Sequence, residues 1–253
     1  MQNTGVATPS PWGLMVAAWV ACAVACPSAN GADAAVVQRL ESLGAKIEFA
    51  ADDAGRVVGV VIADGSQVTA DDVAACGRLA GLRKLQVYNC RVLDDAAVQE
   101  LVGLQELETL ALTNAAITDA AVETIANAFP NLIDLDLSSN TNMTGTAMKW
   151  IAGLERLERL GLMQNRFNDI NTRRLGKLKN LGVLDIRGNM EAGDMTLDVL
   201  GKLPKLKALK HRSTVVTDDG IVRLAASGSL KALLAQDFAI TSAAGPALAR
   251  IRT

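Results

Sequence analysis

Aligned on Val57, Leu82, Leu107, Leu132, Leu157, Leu181, Leu206 and Leu230, the sequence falls into eight lines whose starts lie 24 or 25 residues apart. The fourth position of each line is Val60, Leu85, Leu110, Leu135, Leu160, Leu184, Leu209 and Leu233. The sixth is Ile62, Val87, Leu112, Leu137, Leu162, Ile186, His211 and Ala235. Fourteen of these sixteen positions are large aliphatics, which rules out coincidence and makes the line an internal repeat. Apolar residues two apart predict a short strand with one buried face. Further along each line, in "VTADDVAACGRL", "ITDAAVETIA" or "VTDDGIVRLA", apolar residues recur at three and four, the period of a helix. Thr, Asn and Asp at the joint offer side-chain oxygens to the free amides of the helix start.

A single strand-turn-helix unit cannot bury its own apolar face, but a stack of them can. Strands packed about 4.8 Å apart are narrower than helices, so the stack curves with the strands inside. The expected fold is therefore α/β: a horseshoe solenoid with parallel strands on the concave face and helices on the convex face, in about eight repeats of 24–25 residues. Before it, residues 33–56 predict a cap, with Val36, Val37, Leu40 and Leu43 on one helical face and then a hairpin into the first repeat strand. After it, "TSAAGPALARIRT" predicts a short last helix over a degenerate repeat, with thinner protection from Ser229 onward.

The pattern LxxLxLxxN, as in "LIDLDLSSN" (132–140) and "LERLGLMQN" (157–165), resembles the leucine-rich repeat family. The "ITDAAV" and "VTDDGI" joints are similar to the subclass found in F-box-associated receptors and in exported bacterial repeat proteins. The resemblance covers residues 57–253, about four-fifths of the chain. It implies that position 9 points inward and bonds neighbouring backbone as a structural ladder. Asn140, Asn165 and Asn189 match that position, Cys90 is a substitution the subclass also uses, and Gly65, Ala115, Thr214 and Phe238 depart from it.

The resemblance also implies protein or peptide binding by residues around the strand leucines. Those positions supply Arg83, Lys84, Gln86 and Tyr88, then Asp134, Asp136 and Ser138, then Met163, then Asp185, Arg187, Lys210 and Arg212. The sign runs from basic through acidic to basic, a surface on which a polypeptide with alternating charge blocks could register. Tyr88, the chain's only tyrosine, is the hot-spot candidate by residue type.

Composition narrows the alternatives. A net charge of −2 gives no global attraction to nucleic acid, and 3 % aromatic residues argue against base-stacking platforms. His211, the only histidine, falls at a core-facing strand position, so no catalytic triad is expected. Asp71/Asp72, Asp94/Asp95 and Asp218/Asp219 recur at the strand-helix joint, where helix capping accounts for all three pairs. No metal, phosphate-loop or dinucleotide motif is present, and no cofactor is expected. Cys76 and Cys90 could form a disulfide in an oxidising compartment but read first as two buried thiols.

At the N-terminus an apolar run from Trp12 to Cys26 precedes Pro27 and small residues, so residues 1–32 read as a signal peptide or N-terminal anchor. The expectation is an exported recognition module, periplasmic, cell-surface or secreted, that meets a membrane only through such an anchor. The alternative is an intracellular F-box-type substrate receptor; residues 33–56 are too short for the adaptor-binding helical box it would need.

Overall fold

The computed structural model describes residues 31–53 and 55–251; the apolar run at Trp12–Cys26 lies outside them. Helix α1 (Gly31–Ser42) leads into strand β1 (Lys46–Phe49), which pairs antiparallel with β2 (Val57–Ile62). Eight strands then follow one another in parallel from β2: β3 (Lys84–Val87), β4 (Thr109–Leu112), β5 (Asp134–Asp136), β6 (Arg159–Gly161), β7 (Val183–Asp185), β8 (Ala208–Arg212) and β9 (Ala232–Gln236) complete the sheet. The sheet order is the chain order, β1 to β9, so each unit contacts only its neighbours.

The register is the one the repeat pattern demands. Val60, Leu85, Leu110, Leu135, Leu160, Leu184, Leu209 and Leu233 are paired in one unbroken row across the sheet. A one-residue slip would turn that row out of the core, so the buried face itself fixes the register.

On the other side lie α2 (Ala70–Gly77), α3 (Asp95–Gln99), α4 (Asp119–Ala128), α5 (Ala147–Ile151), α6 (Asp169–Thr172) with the 3-10 turn Arg173–Lys177, α7 (Asp194–Gly201), α8 (Asp218–Leu224) and α9 (Gly245–Leu248). Several are a single turn, too short to hold themselves, so packing on the leucine rows maintains them. Between the two layers one continuous core runs from Val37 and Leu40 of α1 to Ile251, filled by leucines with Phe129 and Phe167 as its largest members.

Position 8 of the repeat has its own backbone rule. Asn89, Asn114, Ser139, Gln164 and Asp237 have φ between 49° and 63°, and Gly188 has φ 78°. The chain leaves six of the eight repeat strands, all but β2 and β8, through a left-handed residue, which Asn, Asp and Gly adopt at least cost. Burial declines at the far end: Leu234 of β9 is 42 % exposed, and Leu233, Phe238, Ile240 and Leu248 only partly enter the core.

Candidate functional site

The strand face owes its shape to what holds the turns behind it. Asn140 accepts the Ala115 N–H at 2.7 Å through Oδ1 and donates through Nδ2 to the carbonyls of Leu112 and Leu137 at 2.7 and 2.9 Å. Asn165 takes the Asn140 N–H at 2.8 Å and donates to the same Leu137 carbonyl at 2.9 Å. Asn189 takes the Phe167 N–H at 2.9 Å and donates to Leu162 and Ile186. All three are buried, and each binds the preceding repeat to its own.

Cys90 occupies the same position but not the same role. It is buried as a free thiol, and its sulfur faces the amides of Val92 and Leu93 in its own turn rather than the previous repeat. A thiol is too short and too weak an acceptor to bridge repeats. Cys76 is also a free buried thiol, its pKa pushed up to about 12, first by burial and then by the Asp72 charge.

At the last turns Ser213, one position before Thr214, supplies the missing inward polar group: it is buried, its Oγ donates to the Met190 carbonyl at 2.9 Å and accepts the Val215 N–H at 3.3 Å. His211 packs under the sheet, 0 % exposed, with its ring edge-on to Phe238 at 5.3 Å. Its Nε2 lies 2.8 Å from the Ala192 carbonyl and must carry the proton, which leaves Nδ1 buried without a hydrogen bond among the described residues.

A second ladder runs along the strand-helix joints. The carboxylate of Asp95 accepts both the N–H and the hydroxyl of Thr118; Asp194 holds Thr217 in the same way, Asp218 holds Thr241, and Asp119 holds Thr144. Capping accounts for only part of the aspartate pattern. Asp94 caps α3 and Asp72 completes the capping box of α2, while Asp95 and Asp218 reach across to the next repeat. The acidic joint clamps repeats together. The signal was present as the recurring Thr-Asp pair, since each Asp stands one repeat before a Thr that needs holding.

On the concave face most predicted charges are already paired. Lys84 meets Glu48 of β1 at 2.7 Å, Arg83 meets Glu108 at 2.7 Å, Arg159 meets Asp134 at 2.7 Å, and Arg212 meets Asp237 at 2.5 Å. Asp185 takes Arg187 through both oxygens, the shorter contact 2.7 Å, with Lys210 at 3.9 Å. Burial lowers the Lys210 pKa against the pull of Asp185. The basic-acidic-basic alternation is thus largely neutralised within the protein.

Ser138 is not a surface contact: it is 6 % exposed, and its Oγ accepts the Met163 N–H at 3.0 Å, so it stitches β5's turn to the next. Gln86, Tyr88 and Met163 stay half-buried on the face. Among the described residues no ion pair engages Asp136, which accepts the Ser138 N–H at 2.9 Å and is also favoured by the Ser138 hydroxyl. Burial, and then the charges of Asp134 and Asp185, raise its pKa against these two hydrogen bonds from Ser138. Its carboxylate lies over Gly161, where a Cβ would stand 2.5 Å from Oδ1. Tyr88 is close enough to sense it: burial, then Asp136 and Asp134, raise the phenol pKa. Among the described residues no group of three His, Cys, Asp or Glu side chains is placed to hold a metal.

Comparison with known proteins gives a consistent picture. A profile described as "Leucine rich repeat" matches residues 105–167. Comparison with curated proteins gave no match. Among solved structures, an internalin from Listeria monocytogenes str. 4b F2365 is 23 % identical over 63 % of this chain and 43 % of its own, with a TM-score of 0.48, so the chain spans less than half of that protein. A structure of the Rad7 and Elc1 complex in yeast is 15 % identical over 88 % of this chain and 80 % of that one, with a TM-score of 0.47. Leucine-rich repeats as a class are protein-binding, generally non-catalytic modules. The row of position-4 side chains runs through the matched leucine-rich repeat segment and beyond it on both sides, and the ladder of asparagines continues past its end to Asn189.

Proposed function

We propose that this protein is an exported, non-catalytic recognition module that binds a protein or peptide segment on its concave strand face. The observation that carries the reading is Asp136, which among the described residues has no ion-pair partner on a face whose other charges are mostly satisfied internally, with the half-buried Tyr88 on the same face two strands away. A carboxylate whose pKa burial raises, on the same face as the chain's only tyrosine, is what a binding hot spot presents before its ligand arrives. Rigid parallel strands hold both side chains in place, so little ordering entropy is lost on binding. The apolar run at Trp12–Cys26 supports export.

The test is affinity capture from the extracytoplasmic fraction with the full chain beside a Tyr88→Ala, Asp136→Asn, Met163→Ala variant of unchanged Tm. A partner held by the first and lost by the second supports the reading. Equal capture by both, or none by either, overturns it.

A further inference from the structure

On the opposite side of the solenoid from the strand face, α5 and the segment from α6 into the 3-10 turn enclose an open cavity of about 350 Å³. Three cations share it: Lys149 of α5, and Arg173 and Arg174 at the start of the turn. Their situation is unlike that of the arginines on the strand face. Among the described residues no ion pair engages any of the three, whereas Arg83, Arg159, Arg187 and Arg212 each have a carboxylate at 2.7 Å or less. Lys149 is held in place by the ring of Trp150, 4.2 Å from its centroid. Like charges gathered in one concavity repel, and a bound anion would turn that cost into binding energy.

The rest of the lining supplies neutral donors and an apolar wall. The Thr146 side chain makes no helix-cap hydrogen bond although it stands at the start of α5. Asn171 uses its Oδ1 and backbone in the capping box of α6, and among the described residues its Nδ2 donates to no acceptor. Gly145 is what allows that amide to lie in the wall, since a Cβ there would stand 2.0 Å from Nδ2. Ile170, 63 % exposed, borders the cavity with a bare aliphatic surface.

We propose that this cavity binds a phosphate monoester, its dianion seated among Lys149, Arg173 and Arg174 and its organic part against Ile170. The volume lies at the small end of small-molecule sites, large for inorganic phosphate alone and suited to a group of about monosaccharide size. Such a group occurs on a soluble sugar phosphate and in a phospholipid headgroup. Nothing in this site depends on the strand face, so its test stands or falls separately from the peptide-binding reading.

The experiment titrates the full chain at low ionic strength with glucose 6-phosphate, with glucose, and with phosphatidic-acid or phosphatidylcholine vesicles, beside an Arg173→Gln, Arg174→Gln variant. Both arginines are exposed, so the variant should keep its circular dichroism and Tm. The expected result is binding of a phosphate source, weakened by salt and reduced about tenfold or more in the variant, as loss of charge-assisted hydrogen bonds requires. Saturation by the sugar phosphate assigns the soluble source; binding confined to phosphatidic-acid vesicles assigns the headgroup. Failure of both phosphate sources to bind at millimolar concentration, equal binding by the variant, or equal affinity for glucose overturns the proposal.

Discussion

Asp95 accepts the backbone N–H of Thr118 at 2.8 Å and its hydroxyl at 2.6 Å, joining the first turn of one helix to the cap of the next. The same clamp recurs along the array, so the aspartates at these joints are structural elements of inter-repeat cohesion. Its most elaborate form is Asp169, whose Oδ1 takes the N–H of Gly193 at 2.7 Å, the N–H of Thr196 at 2.9 Å and the Thr196 hydroxyl at 2.5 Å. Asp169→Ala should therefore cost about 2–3 kcal/mol, the loss of charge-assisted bonds to partly buried donors. Asp219→Ala, at an exposed position of the same motif, should stay within about 0.5 kcal/mol. Urea denaturation of the two variants measures the contrast, and equal losses would mean the clamp contributes nothing.

The asparagine ladder makes a sharper demand. Removing the Asn140 side chain leaves the Ala115 amide and the Leu112 carbonyl without the partner this residue gives them in the interior. Each stranded polar group costs about 1–3 kcal/mol, so Asn140→Ala should lose about 3 kcal/mol or more. Cys90→Ala, at the equivalent position, removes one buried sulfur and no bridge between repeats, and should cost about 1 kcal/mol. Chemical denaturation of both variants decides whether position 9 acts through the bridge or through bulk.

Much of this architecture was legible in the sequence because the fourth and sixth positions of each line are decided by burial alone, and burial repeats. The three asparagines were legible through the LxxLxLxxN pattern, whose resemblance to the leucine-rich repeat family implies an inward ladder at position 9. What periodicity does not carry is partnership. Arg83 and Lys84 read as a basic patch until the structure places Glu108 and Glu48 against them, one from the next repeat and one from β1. Ser138 reads as a surface hydroxyl because its position alternates outward, yet the sharp turn after β5 folds the next strand's amide over it. Ser213 is not legible in the sequence because it performs a ladder task one residue out of register. In each case the deciding contact comes from a different repeat or from the cap, which a line-by-line alignment does not display.

The N-terminal helix is fastened through one carboxylate. Arg39 of α1 meets Asp72 at 2.8 and 3.0 Å, and Asp72 also closes the capping box of α2 with Thr69. The Arg39 hydrogen bond is the main reason the Asp72 carboxyl is held at about 2, below its ordinary value. The ionised carboxylate thus favours the fold at pH values above about 4, and that contribution drains away as pH falls toward 2. Asp72→Ala should release α1 at neutral pH: hydrogen exchange at residues 35–43 should rise, while the amides of β4–β6 keep their protection. Unchanged exchange in α1 would show that Val37 and Leu40 dock it without the clamp.

His211 gives the stability curve a step of its own. It is the only histidine, and burial lowers its pKa below 6.5 more than the Ala192 and Ile186 carbonyls and Asp169 raise it. The folded state therefore prefers the neutral ring, and the unfolded chain takes up a proton first. Stability is full above about pH 6.5 and declines as pH falls through that value toward the folded pKa, where the ring must be charged inside the core. Leucine fills this slot in three of the other repeat strands, so His211→Leu should pack without the titration. At pH 7.5 the variant should lie within about 1 kcal/mol of the parent, the lost Ala192 hydrogen bond offsetting the removed orphan nitrogen. At pH 5 it should be the more stable of the two, with a visibly flatter Tm profile between pH 7 and 5. Carboxylates titrate mainly below that window, so parallel profiles for the two proteins would mean that the ring is hydrated in solution and its burial is not maintained.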